Sequence, residues 1–597
     1  MNQPKTGFSK RISDQNVWSE YPRPSLVRSS YLNLNGLWDY AITKDSEGFT
    51  GPQGQILVPF SPECSLSSVG RRLMPDEFLW YRRILAVPRP QPGKRLLLHF
   101  GAADQEALLF VNGQEVAFHQ GGYLPFSADI TDFLASKNNE LLLRIRDVTD
   151  TSWHARGKQS LHPGGMFYSS YSGLWQTVWA EMVPDNYIDG LFFLPDFNAS
   201  LVRLRVSSIE KVPFRGTVLD GEKEVASFEG VSDEPVCFSL PGFHPWSPED
   251  PFLYQVKIEL GADRVRSYFA MRKCSVHPGA DGRPRLFLNG RPYFQAGVLD
   301  QGYWPESLGT PPSDEAMIAD ILRMKELGFN LLRKHAKIEP ERFYYHCDRL
   351  GMLVWQDLVN GGTPYKSWFV TYLATLMNWL RLSIRDGAKH YALLSRREEE
   401  GREEFLREAG ETISFLFNHP CIVAWVPFNE GWGQFDAADL AERIRQMDPS
   451  RLVDHASGWF DQKAGDILSL HYYFFTLRFR PEKKRAAALT EFGGYACSIP
   501  GHRFCDKIYG YRVFQTPEEL TAGYEKLMEK VLLPAVKKGV CASVYTQLSD
   551  IEEEVNGIYT YDRAVCKLDP KTVLYWNRTL RETYARLAGP EEKSPGD

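Results

Sequence analysis

Near Ser275 the texture of this chain changes, and that change limits its fold more than any other feature. Upstream, short apolar runs alternate with turn signals and no helical period intervenes. FLWYRRILAV, KRLLLHFGA, EALLFVNGQEVAFHQGG, NELLLRIRDV and QTVWAEMV come first, then SLVRLRVSS, FLYQVKIEL and VRSYFAM. Strands in series with no helix between them pack as sandwiches. FVNG followed by QEVAF predicts a hairpin turning near Asn112–Gly113, residues that accept left-handed backbone. Downstream, strand-like and helix-like segments alternate. Ser313 is placed to N-cap DEAMIADILRMKELG, where Met317, Ile321 and Met324 recur at helical spacing and Gly328 marks the end. FNLLRKHA, PERFYYHCDRLG and MLVWQDL then read as strand, helix and strand. About 310 residues of such alternation fit a (β/α)8 barrel with insertions. A doubly wound sheet would need a glycine-rich phosphate turn, and GWGQFD supplies only two glycines of that pattern. Three domains are therefore expected behind a loose N-terminal arm: a β-sandwich over 17–185, a sandwich of immunoglobulin length over 186–275, and a TIM barrel over 276–590.

Composition excludes several function classes. With 43% apolar and 24% charged residues, the 597-residue chain is globular rather than disordered. A formal charge of -6 offers no basic field, so neither nucleic acid nor a membrane is expected as a partner. WFVTYLATLMNWL, from Trp368, is too short and too polar to span a bilayer. An odd set of 9 cysteines without a CxxC pair argues for reduced thiols, and the N-terminus lacks an apolar secretory core. A cytoplasmic location is the expectation. Without HExxH or a His/Cys cluster at ligand spacing, no metal or cofactor is expected. The run SRREEEGREEFLREAGE reads as an exposed helix face.

Chemistry concentrates at two acids. CIVAW leads into VPFNEGWGQ, so Glu430 stands at the end of an apolar strand, with Asn429 before it and two glycines flanking Trp432 after it. AALTEFGG repeats the arrangement at Glu491, 61 residues on. In a barrel, strand C-termini carry the reactive groups. Two carboxylates at one mouth suit glycoside hydrolysis, where one acid protonates the leaving oxygen and the other attacks the anomeric carbon or activates water.

The chain resembles glycoside hydrolase family 2, the family of β-galactosidases, β-glucuronidases and β-mannosidases. YPRP, LNGLWDY, WYRR, FVNG with HQGGYLPF, and YSGLWQTVW are similar to its N-terminal sugar-binding jelly roll. WSPEDPFLY is similar to the end of its immunoglobulin-like domain, and LNGRPYFQAGV to the opening of its barrel. The resemblance implies a retaining double displacement, with Glu430 as general acid/base, Glu491 as nucleophile and Asn429 on the substrate 2-hydroxyl. Trp432 would form an apolar wall whose desolvation raises the acid's pKa, while the glycines let the backbone approach the sugar. Arg333 would hydrogen-bond the nucleophile. Tyr473, or its neighbour Tyr472, would touch it too. Asp300 would bind outer hydroxyls of the terminal sugar. Asp357 and His471 are further rim candidates, with His455 and Trp459 behind them. His335 follows Arg333 after one residue where the family pattern has two, which leaves its role open.

The sugar is less constrained. Family β-glucuronidases carry Asn-x-Lys where this chain has Glu554 and Asn556, and an acid there should repel a uronate. Gln547, Asp550 and Glu552 are placed to grip neutral hydroxyls. The expectation is an exo-acting β-galactosidase, with β-glucuronidase, β-mannosidase and α-L-arabinopyranosidase as alternatives and a silent carbohydrate-binding protein as the reading from another class. A homo-oligomer fits such sandwich domains. The aromatic insertion over 361–409 would roof the pocket or form a dimer contact.

Overall fold

A computed structural model of the protein describes residues 4–44, 48–366, 368–380, 382–473 and 477–589. Its first sandwich sets a six-stranded antiparallel sheet against a four-stranded one. The core between them is apolar on alternate residues, as in Asn139–Arg146, where Leu141, Leu143 and Ile145 point inward. The hairpin turns at Asn112 and Gly113, both at positive φ (51° and 79°). A second sandwich of three and four strands follows, from Ile188 to Phe269, around Val202, Leu204, Val256 and Ile258.

The third unit is a barrel of eight parallel strands: β1 (Gln295–Asp300), β2 (Leu331–Lys334), β3 (Leu353–Asp357), β4 (Ile422–Val426), β5 (Leu452–Val453), β6 (Ile467–Tyr472), β7 (Ala486–Gly493) and β8 (Val540–Thr546). Consecutive strands from β1 to β5 pair in parallel, β8 pairs with β1 and β7, and the sheet's two ends are β5 and β6. Most of its strands are buried along their whole length, which is why their sequences read as unbroken apolar runs rather than alternating ones. Helix α1 (Asp314–Glu326) begins after Ser313 as expected, but the Ser313 hydroxyl makes no capping hydrogen bond. Among the described residues, no helix is long and apolar enough to cross a membrane.

One expectation fails in an instructive way. The charge run lies on helix α2 (Glu399–Leu416), but two of its acids face inward. Glu404 pairs with His154 of the first sandwich at 2.7 Å. Burial pushes the Glu408 carboxyl up to about 8, with Glu404's charge adding to the effect. The helix is thus a seam between domains. A loop of the first sandwich crosses the same seam and lies on the barrel mouth. Ala155 bridges to Gly361, and the amides of Arg156 and Gly157 donate to the Asn360 carbonyl at 3.1 and 3.0 Å. Gly157 has φ +58°, and a Cβ there would sit 2.4 Å from the Ala336 carbonyl oxygen. Only glycine lets the two domains meet this closely.

Candidate active site

Strand β7 delivers Glu491 into the mouth with 5% of its surface exposed. Arg333, next to last in β2 and fully buried, donates to its Oε1 at 3.0 Å, and Tyr473 donates to its Oε2 at 2.5 Å. Tyr473, not Tyr472, is therefore the tyrosine on this carboxylate. Burial by itself would raise the Glu491 pKa. The charges of His471 and Arg333 overcome it and, with the Tyr473 hydrogen bond, hold the group at about 2. Arg333 is itself fixed by Asp357, at 3.0 and 3.1 Å, and reaches the Asn429 Oδ1 at 2.9 Å. That last bond occupies the Asn429 carbonyl and leaves its amide to point at a substrate oxygen. His335 Nδ1 lies 2.8 Å from Asp357 Oδ2, so both Asp357 oxygens are taken. The described contacts of Asp357 are thus to Arg333 and His335.

Glu430 sits four residues beyond β4 with φ 51°, a left-handed conformation uncommon outside glycine. Its amide donates to the Ser457 carbonyl at 2.8 Å and fixes the turn. His471 Nδ1 lies 2.9 Å from its Oε1, and the other ring nitrogen contacts the Ser457 hydroxyl at 3.0 Å. The glycines flanking Trp432 have a packing reason of their own. A Cβ on Gly431 would meet the Phe460 ring at 2.5 Å, and one on Gly433 the Gly361 carbonyl at 2.3 Å. Both pack the turn against its neighbours. Trp432 joins Phe369, Val370, Trp459 and Phe460 in a small apolar cluster.

One oxygen each of Glu430 and Glu491 and a ring nitrogen of His471 lie within 4.8 Å of one another. This is the one His/Cys/Asp/Glu cluster among the described residues with cation-binding spacing. Its Glu491 oxygens are already occupied by Arg333 and Tyr473, which suits a reacting carboxylate better than a metal ligand.

Outward of Glu430 opens a cavity of about 910 Å³, lined among others by Trp432, Trp459, Phe460, Tyr472 and Tyr511. The 361–409 insertion contributes Val370, Tyr372, Thr375 and Leu382 to this wall, so it does roof the pocket. His455 is not among the lining residues and places its Nε2 3.1 Å from Asp461, which is.

On the inner side the groups expected to grip hydroxyls grip each other. Gln301 donates to the Tyr168 hydroxyl (2.6 Å) and to Gln547 (2.8 Å). Gln547 donates to Asn556, Asn556 donates to Glu554 (both 2.8 Å), and Tyr168 donates to the other Glu554 oxygen, closing a ring. All five are buried. Asp550 pairs with Lys567 at 2.5 Å, and Glu552 accepts from the Ser169 amide at 3.0 Å. Asp300 is likewise committed, to Lys334 at 2.8 Å and the Gly302 amide at 3.0 Å. Sequence reasoning missed Tyr168, Gln301 and Lys158, which come from a two-residue strand, a loop and a turn too short to carry a periodic signal. The Lys158 ammonium lies over the Trp432 ring, 5.2 Å from its centroid.

Known proteins with this architecture were found at every level. Models of "Glycosyl hydrolases family 2" match the sugar-binding domain over residues 74–179, the immunoglobulin-like domain over 198–272 and the TIM barrel domain over 283–491. The chain belongs to glycoside hydrolase family 2 and is a glycoside hydrolase. A β-galactosidase of Thermoanaerobacter pseudethanolicus is 25% identical over 67% of this chain and 51% of its own length. A dog β-glucuronidase is 25% identical over 72% of this chain and 69% of its own. The chain thus spans about half of the first of these relatives. Among solved structures, a β-D-glucuronidase of Dictyoglomus thermophilum superposes with a TM-score of 0.71 at 18% identity, covering 96% of this chain and 100% of that one. A β-galacturonidase of Eisenbergiella tayi gives 0.69 at 19%, covering 94% and 99%. Those likenesses are of fold.

Proposed function

We propose that this family 2 hydrolase is a retaining, exo-acting β-glycosidase in which Glu491 is the nucleophile and Glu430 the general acid/base. The observation that carries the reading is the approach of the two carboxylates to within 4.8 Å. Retaining enzymes hold the pair about 5–5.5 Å apart, whereas inverting enzymes leave about 6.5–9.5 Å for a water. Glu491, ionised and aimed by Arg333 and Tyr473, attacks the anomeric carbon while Glu430 gives its proton to the leaving oxygen. Water, activated by Glu430, then releases the sugar. The Asn429 amide donates to the 2-hydroxyl, where a bond that strengthens in the oxocarbenium-like transition state lowers the barrier. Exo action follows from the buried ring at Glu554 and Gln547, which stops a chain from running through. A silent binding protein has no use for a nucleophile held this far below the ordinary carboxylate range.

Among sugars, the galactoside expected from family frequency is no better supported than a glucuronide, since a relative of each kind is 25% identical. A panel of p-nitrophenyl β-galactoside, β-glucuronide, β-galacturonide, β-mannoside, β-glucoside and α-L-arabinopyranoside tests the reading. Turnover of at least one with net retention, and its loss in Glu491→Gln, is expected; inversion, or full activity in that variant, would sink it.

A further inference from the structure

We propose that Lys158, carried into the barrel mouth by the jelly-roll domain, reads the carboxylate of a terminal β-linked uronic acid. The inference rests on the retaining glycosidase reading above and names the substrate class of that same site. Lys158 is 9% exposed, and among the described residues its ammonium has no hydrogen-bond acceptor and no ion-pair partner. It lies over two aromatic faces, Trp432 at 5.2 Å and Tyr168 at 5.9 Å. Both rings border the mouth, one beside Glu430 and one in the inner ring of hydrogen bonds. Its charge also reaches His335 and Glu554 from this position. A buried ammonium with no anion in contact is costly, and a ligand carboxylate at this point would offset that cost.

Elimination points the same way. The acid expected to repel a uronate, Glu554, has both oxygens engaged, by Tyr168 and Asn556. Gln547, Asp550, Glu552 and Asp300 are engaged too. Of the cations at the mouth, Arg333 belongs to Glu491 and Asp357, and Lys334 to Asp300 and Glu339. Lys463, Arg478 and Arg480 also line the outer cavity, from exposed positions. Lys158 is the buried cation with neither a contacting acid nor a hydrogen-bond acceptor among the described residues, and Gly157 fixes its place by threading against Ala336.

The test compares uronides with the matching neutral hexosides in wild type, Lys158→Met, Lys158→Arg and Glu491→Gln. Wild type should favour the β-glucuronide or β-galacturonide over the β-glucoside or β-galactoside. Lys158→Met should lose roughly 10- to 100-fold in kcat/KM on the uronide, the worth of one charge-assisted hydrogen bond, mostly through KM. It should leave the neutral glycoside within about 3-fold, and Lys158→Arg should recover part of the uronide activity. Free galacturonate and glucuronate should raise the melting temperature of wild type but not of Lys158→Met, a reading that needs no turnover. A wild type that prefers neutral sugars and is not stabilised by either uronate, or a Lys158→Met variant that loses both substrate classes equally, would overturn the assignment. Activity surviving in Glu491→Gln would instead overturn the glycosidase reading beneath it.

Discussion

Two carboxylates face each other across the mouth and are held in opposite ways. Glu491 sits within a strand, receives an arginine and a tyrosine, and is pinned in its ionised form at about 2. Glu430 sits on a turn past its strand, in a left-handed backbone, with a single side-chain contact at His471 and a cavity of about 910 Å³ beside it. On the proposed assignment, the contrast gives one residue type two roles within one barrel. The nucleophile needs a fixed line of attack and a charge that never wavers. The acid/base must exchange a proton twice per turnover and meet leaving groups of varied shape, so it is tethered lightly and placed at the open side.

The largest break in this comparison is Glu491→Gln, which removes the attacking oxygen and should cost on the order of 10^4 to 10^6 in kcat. Trapping with a slow 2-fluoro glycoside, followed by mass spectrometry, should label wild type on Glu491 and not the variant. Glu430→Gln should cost about 10^2 to 10^4 on substrates with poor leaving groups. With dinitrophenyl glycosides, which need no protonation to depart, the first step should be nearly normal and a burst should appear. Equal losses on both substrates would mean Glu430 is not the acid.

Arg333→Met sharpens the contrast by making Glu491's surroundings more like Glu430's. Removing one partner of a buried ion pair should destabilise the fold by about 3–5 kcal/mol, read by denaturant unfolding. The sign of the pH effect is fixed. Glu491 works ionised, and its folded pKa lies below the unfolded value of about 4.3. Its contribution to stability is therefore complete above that value and is lost as pH falls toward about 2. Without Arg333 the folded pKa rises, and the acid limb of kcat/KM should move to higher pH. The smallest effect is expected from Tyr473→Phe, about 5- to 10-fold in kcat, the worth of one hydrogen bond to the nucleophile.

How much of this was legible depends on where each residue lies. Glu430, Glu491 and Arg333 lie at or just past the C-terminal ends of buried parallel strands, and such strands announce themselves as unbroken apolar runs that give way to polar residues. Their pairing across the mouth follows from barrel closure. Lys158 had no such marker. It lies 175 residues before Arg333 in a polar loop, and nothing local distinguishes it from a solvated surface lysine. Glu554 and Gln547 were seen as residues but not as members of one hydrogen-bonded ring, because their partners Tyr168 and Gln301 sit in short segments of two different domains. Asp357 was also seen, but its orientation toward Arg333 is a side-chain matter that strand patterning does not encode. The inward acids of α2 were masked by a charge density that usually means solvent.

The close passage of Gly157 against Ala336 has a consequence beyond packing. On the Lys158 proposal, it makes substrate choice the joint property of two modules, the sandwich and the barrel. Heat or denaturant that loosens the seam would leave the barrel folded but blind, so inactivation would run ahead of unfolding. Over longer times, exchange of the sandwich alone between relatives would hand a new diet to an old catalyst without altering any of its reacting strands.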